Sequence, residues 1–138
     1  MKDLKISVKL DTNGSMPGIL AKVLDEGLAD HVAMDVKAPL NKAALNRVTG
    51  VDVDPENIKR SIDIIKKFAA SYEFRTTFIE GLLSIKDMND IRKELENDAH
   101  WVIQPFRPVN CLDPGYCSFP AADPEKLRVK FQGIKVRG

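Results

Sequence analysis

The chain has 138 residues, 43% of them hydrophobic and 30% charged, the proportions of one ordinary globular domain. Its 21 Lys and Arg against 20 Asp and Glu leave a net charge of +1, without the basic excess of a dedicated nucleic-acid binder. No apolar run approaches the length of a membrane-spanning helix, and Met1-Lys2-Asp3-Leu4-Lys5 lacks the apolar core of a signal peptide, so a cytoplasmic protein is expected.

The predicted elements alternate along the chain. Residues 6–10 alternate apolar and polar, as in a strand with one solvated face. Asp11-Thr12-Asn13-Gly14-Ser15 reads as the turn that ends it. Ile19, Leu20, Val23, Leu24 and Leu28 recur at helical spacing, with Pro17 near the start and Gly27 as a C-cap. A strand over 32–36 is closed by Lys37-Ala38-Pro39. Residues 40–54 show no clear period and are expected to form an irregular loop or a short helical turn.

Asp54-Pro55-Glu56 combines an N-cap carboxylate, a first-turn proline and a first-turn acid, a strong helix start. Ile58, Ile62, Ile65 and Phe68 or Ala69 mark the buried face of that helix. The β-branched and aromatic run 74–79 predicts a third strand, ended by Glu80-Gly81. Met88, Ile91 and Leu95 predict another helix, and 101–104 a strand ended by Pro105. Residues 107–122 read as a proline-rich loop, Asp123-Pro124-Glu125 as the start of a short helix, and 133–137 as a terminal strand.

Such alternation predicts an α/β fold with mainly parallel strands and right-handed connections. Ligands of parallel sheets bind at the carboxyl ends of the strands. That rule selects Asp11, Thr12 and Asn13 after the first strand, Asp35 and Lys37 at the second, Arg75 on the third, and Gln104 and Arg107 after the fourth. Asp11 to Asn13 offer a carboxylate, a hydroxyl and an amide, suited to a ligand or to a local capping turn. Asp35 and Lys37, two apart, point to one face. They suit either a zwitterionic ligand or a rim ion pair of little energetic weight. Arg75 inside an apolar strand requires an anionic or carbonyl partner, such as a ligand or Asp35. His31 and His100 precede strands, at the opposite end from the expected site. Cys111 and Cys117 are too few for a disulfide framework or a four-cysteine zinc site, and free thiols are expected.

Six segments occur together in order: 9–15 (KLDTNGS), 32–40 (VAMDVKAPL), 48–50 (VTG), 72–77 (YEFRTT), 104–108 (QPFRP) and 134–138 (IKVRG). As a set they resemble the radical S-adenosylmethionine activating proteins of anaerobic ribonucleoside-triphosphate reductase, related to the pyruvate formate-lyase activating enzymes. The resemblance runs from the middle of the family's domain to its carboxyl end. It implies a partial (β/α) barrel, truncated on its N-terminal side, that residues 1–138 form as one domain. It also implies reductive cleavage of S-adenosylmethionine by an electron from a [4Fe–4S] cluster, and hydrogen abstraction from a glycine of a glycyl-radical partner such as anaerobic ribonucleotide reductase. By resemblance, Asp11, Thr12 and Asn13 lie near the cation or methionine-carboxylate side. Asp35 and Lys37 match the cofactor-contacting strand. Arg75, Gln104 and Arg107 line the carboxylate and ribose or adenine side.

The sequence departs from the family at three points. It has no C-x3-C-x2-C motif and no Gly-Gly-Glu motif, and Arg107 stands where formate-lyase relatives carry a histidine. A cluster open to substrate needs three thiolates, and this sequence has two cysteines. These residues alone are therefore expected not to be a competent radical enzyme. The alternative expectation is a non-catalytic α/β module that binds S-adenosylmethionine or a partner. A first strand without its family neighbour also suggests self-association, or docking of an N-terminal subunit, along its edge.

Overall fold

The structure, a computed structural model, describes residues 6–108 and 119–137. The expected free thiols Cys111 and Cys117 lie outside the described residues. Ten elements follow in order: β1 (Lys9–Thr12), α1 (Pro17–Asp25), β2 (His31–Asp35), α2 (Lys42–Thr49), α3 (Pro55–Phe68), β3 (Tyr72–Phe78), α4 (Ile85–Glu94), β4 (Trp101–Pro105), α5 (Pro124–Lys130) and β5 (Lys135–Val136). The five strands form one sheet in the order β1-β2-β3-β4-β5, and every pairing is parallel. No helix among the described residues is long and apolar enough to cross a membrane.

Local chemistry sets the helix starts. Asp54 accepts the Glu56 N–H at 2.9 Å and Asp123 accepts the Glu125 N–H at 3.0 Å, each with proline opening the helix. Ser84 and Asp87 close a reciprocal capping box on α4. Helix α2 occupies residues expected to be irregular or a brief turn. Its two turns bury only Ala44, Leu45 and Val48, too few to display a period. Its caps are nevertheless in the sequence: Asn41 accepts the Ala44 N–H at 2.8 Å, and Gly50 ends the helix in the left-handed region at φ 75°.

The first strand is displaced from the expected 6–10 to Lys9–Thr12, so Asp11 and Thr12 are strand residues. Its ladder starts late because Asp30 takes over the preceding contacts. The Asp30 carboxylate accepts the Val8 N–H at 2.7 Å, and the Asp30 N–H donates to the Val8 carbonyl at 2.8 Å. Ile19, expected on the apolar stripe of α1, is instead 59% exposed, and of the alternatives Phe68 and Ala69 it is Phe68 that is exposed. Ala69 packs against the core in place of Phe68, and Leu28 is also exposed.

Sequential strand order makes this fold one-sided. Right-handed crossovers that always step to the next strand carry their helices to the same face of the sheet. The core agrees. Val32, Met34, Val36, Phe74, Phe78 and Ile103 join the helical residues Leu20, Ile58, Ile62, Ile65, Met88 and Ile91 in one cluster. Ala33 and Val102, on the alternate positions, are buried but stay outside it. Two buried hydroxyls are satisfied within the fold. Thr76 donates to the Val36 carbonyl at 2.7 Å and accepts the Trp101 indole N–H at 3.0 Å. Ser61 on α3 donates to the Gly14 carbonyl at 2.7 Å, tying the β1–α1 turn to α3.

Candidate functional site

The face of the sheet turned away from the helices is polar. Strand register sets Asp35 beside Arg75, Arg75 beside Val102, and Thr77 beside Gln104. Asp11 and Glu73 flank Ala33 on the same face. At the carboxyl ends of β1–β3 a cavity of about 390 Å³ opens, within the range of small-molecule sites. Asn13, Asp35, Lys37, Arg75 and Thr77 give it a polar side. Leu45, Val48, Val51, Val53, Ile58 and Ile79 give it an apolar one.

Asp35 is the centre of the charge arrangement. The Arg75 guanidinium donates to Asp35 Oδ1 from Nε at 3.1 Å and lies 3.0 Å from it at Nη2. Lys37 Nζ stands 3.7 Å from Asp35 Oδ2. Arg75 Nη1 also stands 3.7 Å from Asp11 Oδ1. The arginine side chain is 13% exposed, and these two carboxylates compensate its burial. The ion-pair alternative for Arg75 is thus the arrangement found. A ligand carboxylate would compete with Asp35 for the guanidinium, and a ligand ammonium or hydroxyl would find Asp35 already oriented.

The turn after β1 uses its side chains locally. Thr12 Oγ1 accepts the Gly14 N–H at 3.1 Å, and Asn13 Oδ1 accepts the Ser15 N–H at 3.0 Å. Asn13 still lines the cavity, whereas Thr12 pairs with Met34 on the other face of the sheet. Two long-range contacts steady the β2–α2 segment. Glu94 accepts the Leu40 N–H at 2.8 Å, its carboxyl raised above the usual range by burial. Asp87 pairs with Arg47 on α2 at 2.9 Å.

A second, more open hollow of about 310 Å³ lies alongside. It is lined by Thr77, Gln104, Pro105, Arg107 and Arg137. Thr77 belongs to both hollows and joins them. The eight sequence-selected residues are therefore divided. Asn13, Asp35, Lys37 and Arg75 meet in the first, Asp11 touches it through Arg75, Gln104 and Arg107 line the second, and Thr12 lines neither.

Sequence reasoning missed Thr77, Arg137 and the apolar wall. Thr77 was detectable, being two residues beyond Arg75 and so on its face. The wall was hidden with α2. The histidines sit at the other end of the strands: His31 bonds the Ser71 hydroxyl and His100 the Asp98 carboxylate, each at 2.8 Å.

No family model matches the chain. A protein of Methanocaldococcus jannaschii, provisionally named a glycyl-radical enzyme activating enzyme, is 31% identical over 131 residues. That alignment covers 92% of this chain and 54% of the relative, so the chain spans about half the relative's length. Two solved structures share the fold. A radical SAM methyltransferase from Sphaerobacter thermophilus superposes with a TM-score of 0.68 at 17% identity, over 97% of this chain and 41% of the other. A domain of a pyruvate-formate lyase-activating enzyme from Bacteroides vulgatus superposes with a TM-score of 0.62 at 16% identity, over 99% and 83%. The five parallel strands thus correspond to part of a radical SAM partial barrel.

Proposed function

We propose that this chain, a relative of the glycyl-radical enzyme activating enzymes, is the carboxyl-terminal portion of a radical S-adenosylmethionine activase. In this reading residues 1–138 make one domain of a cytoplasmic protein, and anaerobic ribonucleoside-triphosphate reductase is the glycyl-radical partner. The observation that carries it is the cavity of about 390 Å³ with Asp35 held between Arg75 and Lys37, on a sheet of this family's fold.

The residues present suit S-adenosylmethionine. Arg75 and Lys37 offer cations to its carboxylate, and Asp35 offers an anion to its ammonium. Asn13 borders the same side, Asp11 reaches it through Arg75, and Thr12 shapes the turn that carries Asn13. Thr77 and Gln104 supply hydroxyl and amide groups for the ribose and adenine end, with Arg107 at the rim. When bound, the cofactor supplies a sulfonium that the complete family cleaves reductively.

The donor set does not suit a [4Fe–4S] cluster. The sequence has two cysteines, fewer than the thiolates such a cluster takes. Among the described residues no group of three His, Cys, Asp or Glu is gathered to hold a metal. These 138 residues therefore hold and orient the cofactor without supplying the electron. The same shortage favours the second reading, a non-catalytic module that binds S-adenosylmethionine or a partner.

Calorimetric titration with S-adenosylmethionine tests the site. We expect weak, saturable binding that Asp35→Asn and Lys37→Gln each reduce severalfold; a flat titration overturns the reading. Anaerobic reconstitution with iron and sulfide tests the missing chemistry. A stable cluster absorbance with cofactor cleavage would show that the chain is competent alone. The outer edge of β1, at the end of the described sheet, is the proposed surface for self-association or for an N-terminal subunit. Light scattering that finds only monomer at high micromolar concentration counts against self-pairing.

A further inference from the structure

The polar face of the sheet is divided by charge. Around β1–β3 the charges are matched: Lys9 with Asp11, and Arg75 and Lys37 with Asp35. Around β4 and β5 they are not, among the described residues. Arg107 and Arg137 line the second hollow together with Gln104 and Thr77. Glu73 takes Arg137 Nη2 at 2.7 Å and is the single acid paired with this group among the described residues. Arg107 is exposed and has no hydrogen-bond or ion-pair partner among the described residues. Lys135 stands exposed in register with Val102 on the same face.

A guanidinium carries five donors in a planar fork. Glu73 engages one end of the Arg137 fork, so two forks, a carboxamide and a hydroxyl surround the hollow with a surplus of donors and of positive charge. A nucleoside has no group that answers that surplus: ribose and adenine are neutral. The cofactor proposed for the first cavity therefore leaves Arg107, and the end of the Arg137 fork that Glu73 does not engage, without an anion among the described residues.

We propose that the second hollow is an oxyanion subsite in which Arg107 and Arg137 bind a phosphate or carboxylate group, beside the Gln104 and Thr77 groups that face the cofactor. The subsite stands on the geometry of the hollow alone. Its assignment to the second reactant, bound beside S-adenosylmethionine and continuous with it through Thr77, rests on the functional reading above. Charge-assisted bidentate donors are the strong way to hold such a group.

The test uses the full 138-residue chain and two probes, inorganic phosphate and a blocked tetra-aspartate peptide. Each is titrated by ¹H–¹⁵N nuclear magnetic resonance at constant ionic strength set with chloride. Saturable shifts at Gln104 and Arg107 are expected with at least one probe. The better probe tells a small oxyanion from a carboxylate side chain of a polypeptide.

Arg107→Gln should weaken that binding roughly tenfold, the loss of one charge-assisted contact at an open site. Arg107→Lys should recover part of it. Lys86→Gln, a distant exposed cation on α4, should leave it unchanged. Asp35→Asn should also leave it unchanged while reducing S-adenosylmethionine binding, so each reading can fail without the other. Neither probe binding above chloride, or Arg107→Gln binding as the parent does, overturns the subsite.

Discussion

Replacing Arg75 by methionine keeps the aliphatic stem and removes the guanidinium, which isolates the contribution of its ion pairs. The interaction with Asp35 is a charge-assisted pair at 3.0–3.1 Å, of a kind that contributes about 1.5–3 kcal/mol when fully enclosed. Asp35 is 35% exposed and rehydrates in part once its partner is gone, so about 1.5 kcal/mol is expected. The second contact, to Asp11 at 3.7 Å, involves a carboxylate 63% exposed and adds at most about 0.5 kcal/mol. Urea denaturation measures the sum. With a slope of about 1–3 kcal/mol per molar, the midpoint of Arg75→Met should fall by roughly 0.5–2 M. A double-mutant cycle with Asp35→Asn should give a coupling of about 1 kcal/mol, and the same cycle with Asp11→Asn close to zero. If Arg75→Met denatures with the parent, or if Asp11 couples as strongly as Asp35, the assignment of Asp35 as the principal partner is wrong.

Thr76→Val is nearly isosteric but leaves the buried Trp101 N–H and the Val36 carbonyl without the hydroxyl that joins them. A loss of about 2 kcal/mol is expected, read from chemical denaturation followed by Trp101 fluorescence. Gly14→Ala sets a side chain at φ 75°, with its Cβ driven into the Met34 methyl and 3.4 Å from Ser61 Cβ. The methionine can yield but the backbone cannot, so about 1–2 kcal/mol should be lost and Met34→Leu should restore part of it.

Burial, and then the Asp98 carboxylate at 2.8 Å, push the Tyr72 phenol from its ordinary 10.0 up to about 12. The folded value is raised, so this stabilisation is complete below about pH 10 and is lost as the pH climbs towards 12. Tyr72→Phe should flatten stability measured across that window. Asp98 behaves oppositely. Burial raises its carboxyl, but hydrogen bonds from His100 and Tyr72 outweigh burial and hold it below the usual range. Its stabilisation is present above the ordinary value of 3.8 and is lost as the pH falls below it. Asp98→Asn should remove that acid-side loss.

The sequence by itself determined the elements whose signals are local. Proline and carboxylate caps located α3 and α5, apolar spacing located α4, and the β-branched run located β3, because each signal lies within a few residues of what it specifies. It also pointed to the strand ends, and Asp35, Lys37 and Arg75 do meet there. Helix α2 escaped because two turns cannot display a period, and the apolar wall of the cavity escaped with it. Only the tertiary structure decided the rest. Alternating strands and helices suit a two-sided sheet as well as a one-sided one, and the six-segment resemblance, not the periodicity, carried the expectation of a barrel. Strand order settles the matter: five strands in sequence carry the described helices to one face, and the other face carries the charges. Whether Arg75 reaches Asp35 or Asp11, and whether Arg107 shares a hollow with Arg137, depends on register between strands up to 40 residues apart in sequence. Such pairings arise from packing the whole sheet against its helices, and no local stretch of the chain encodes them.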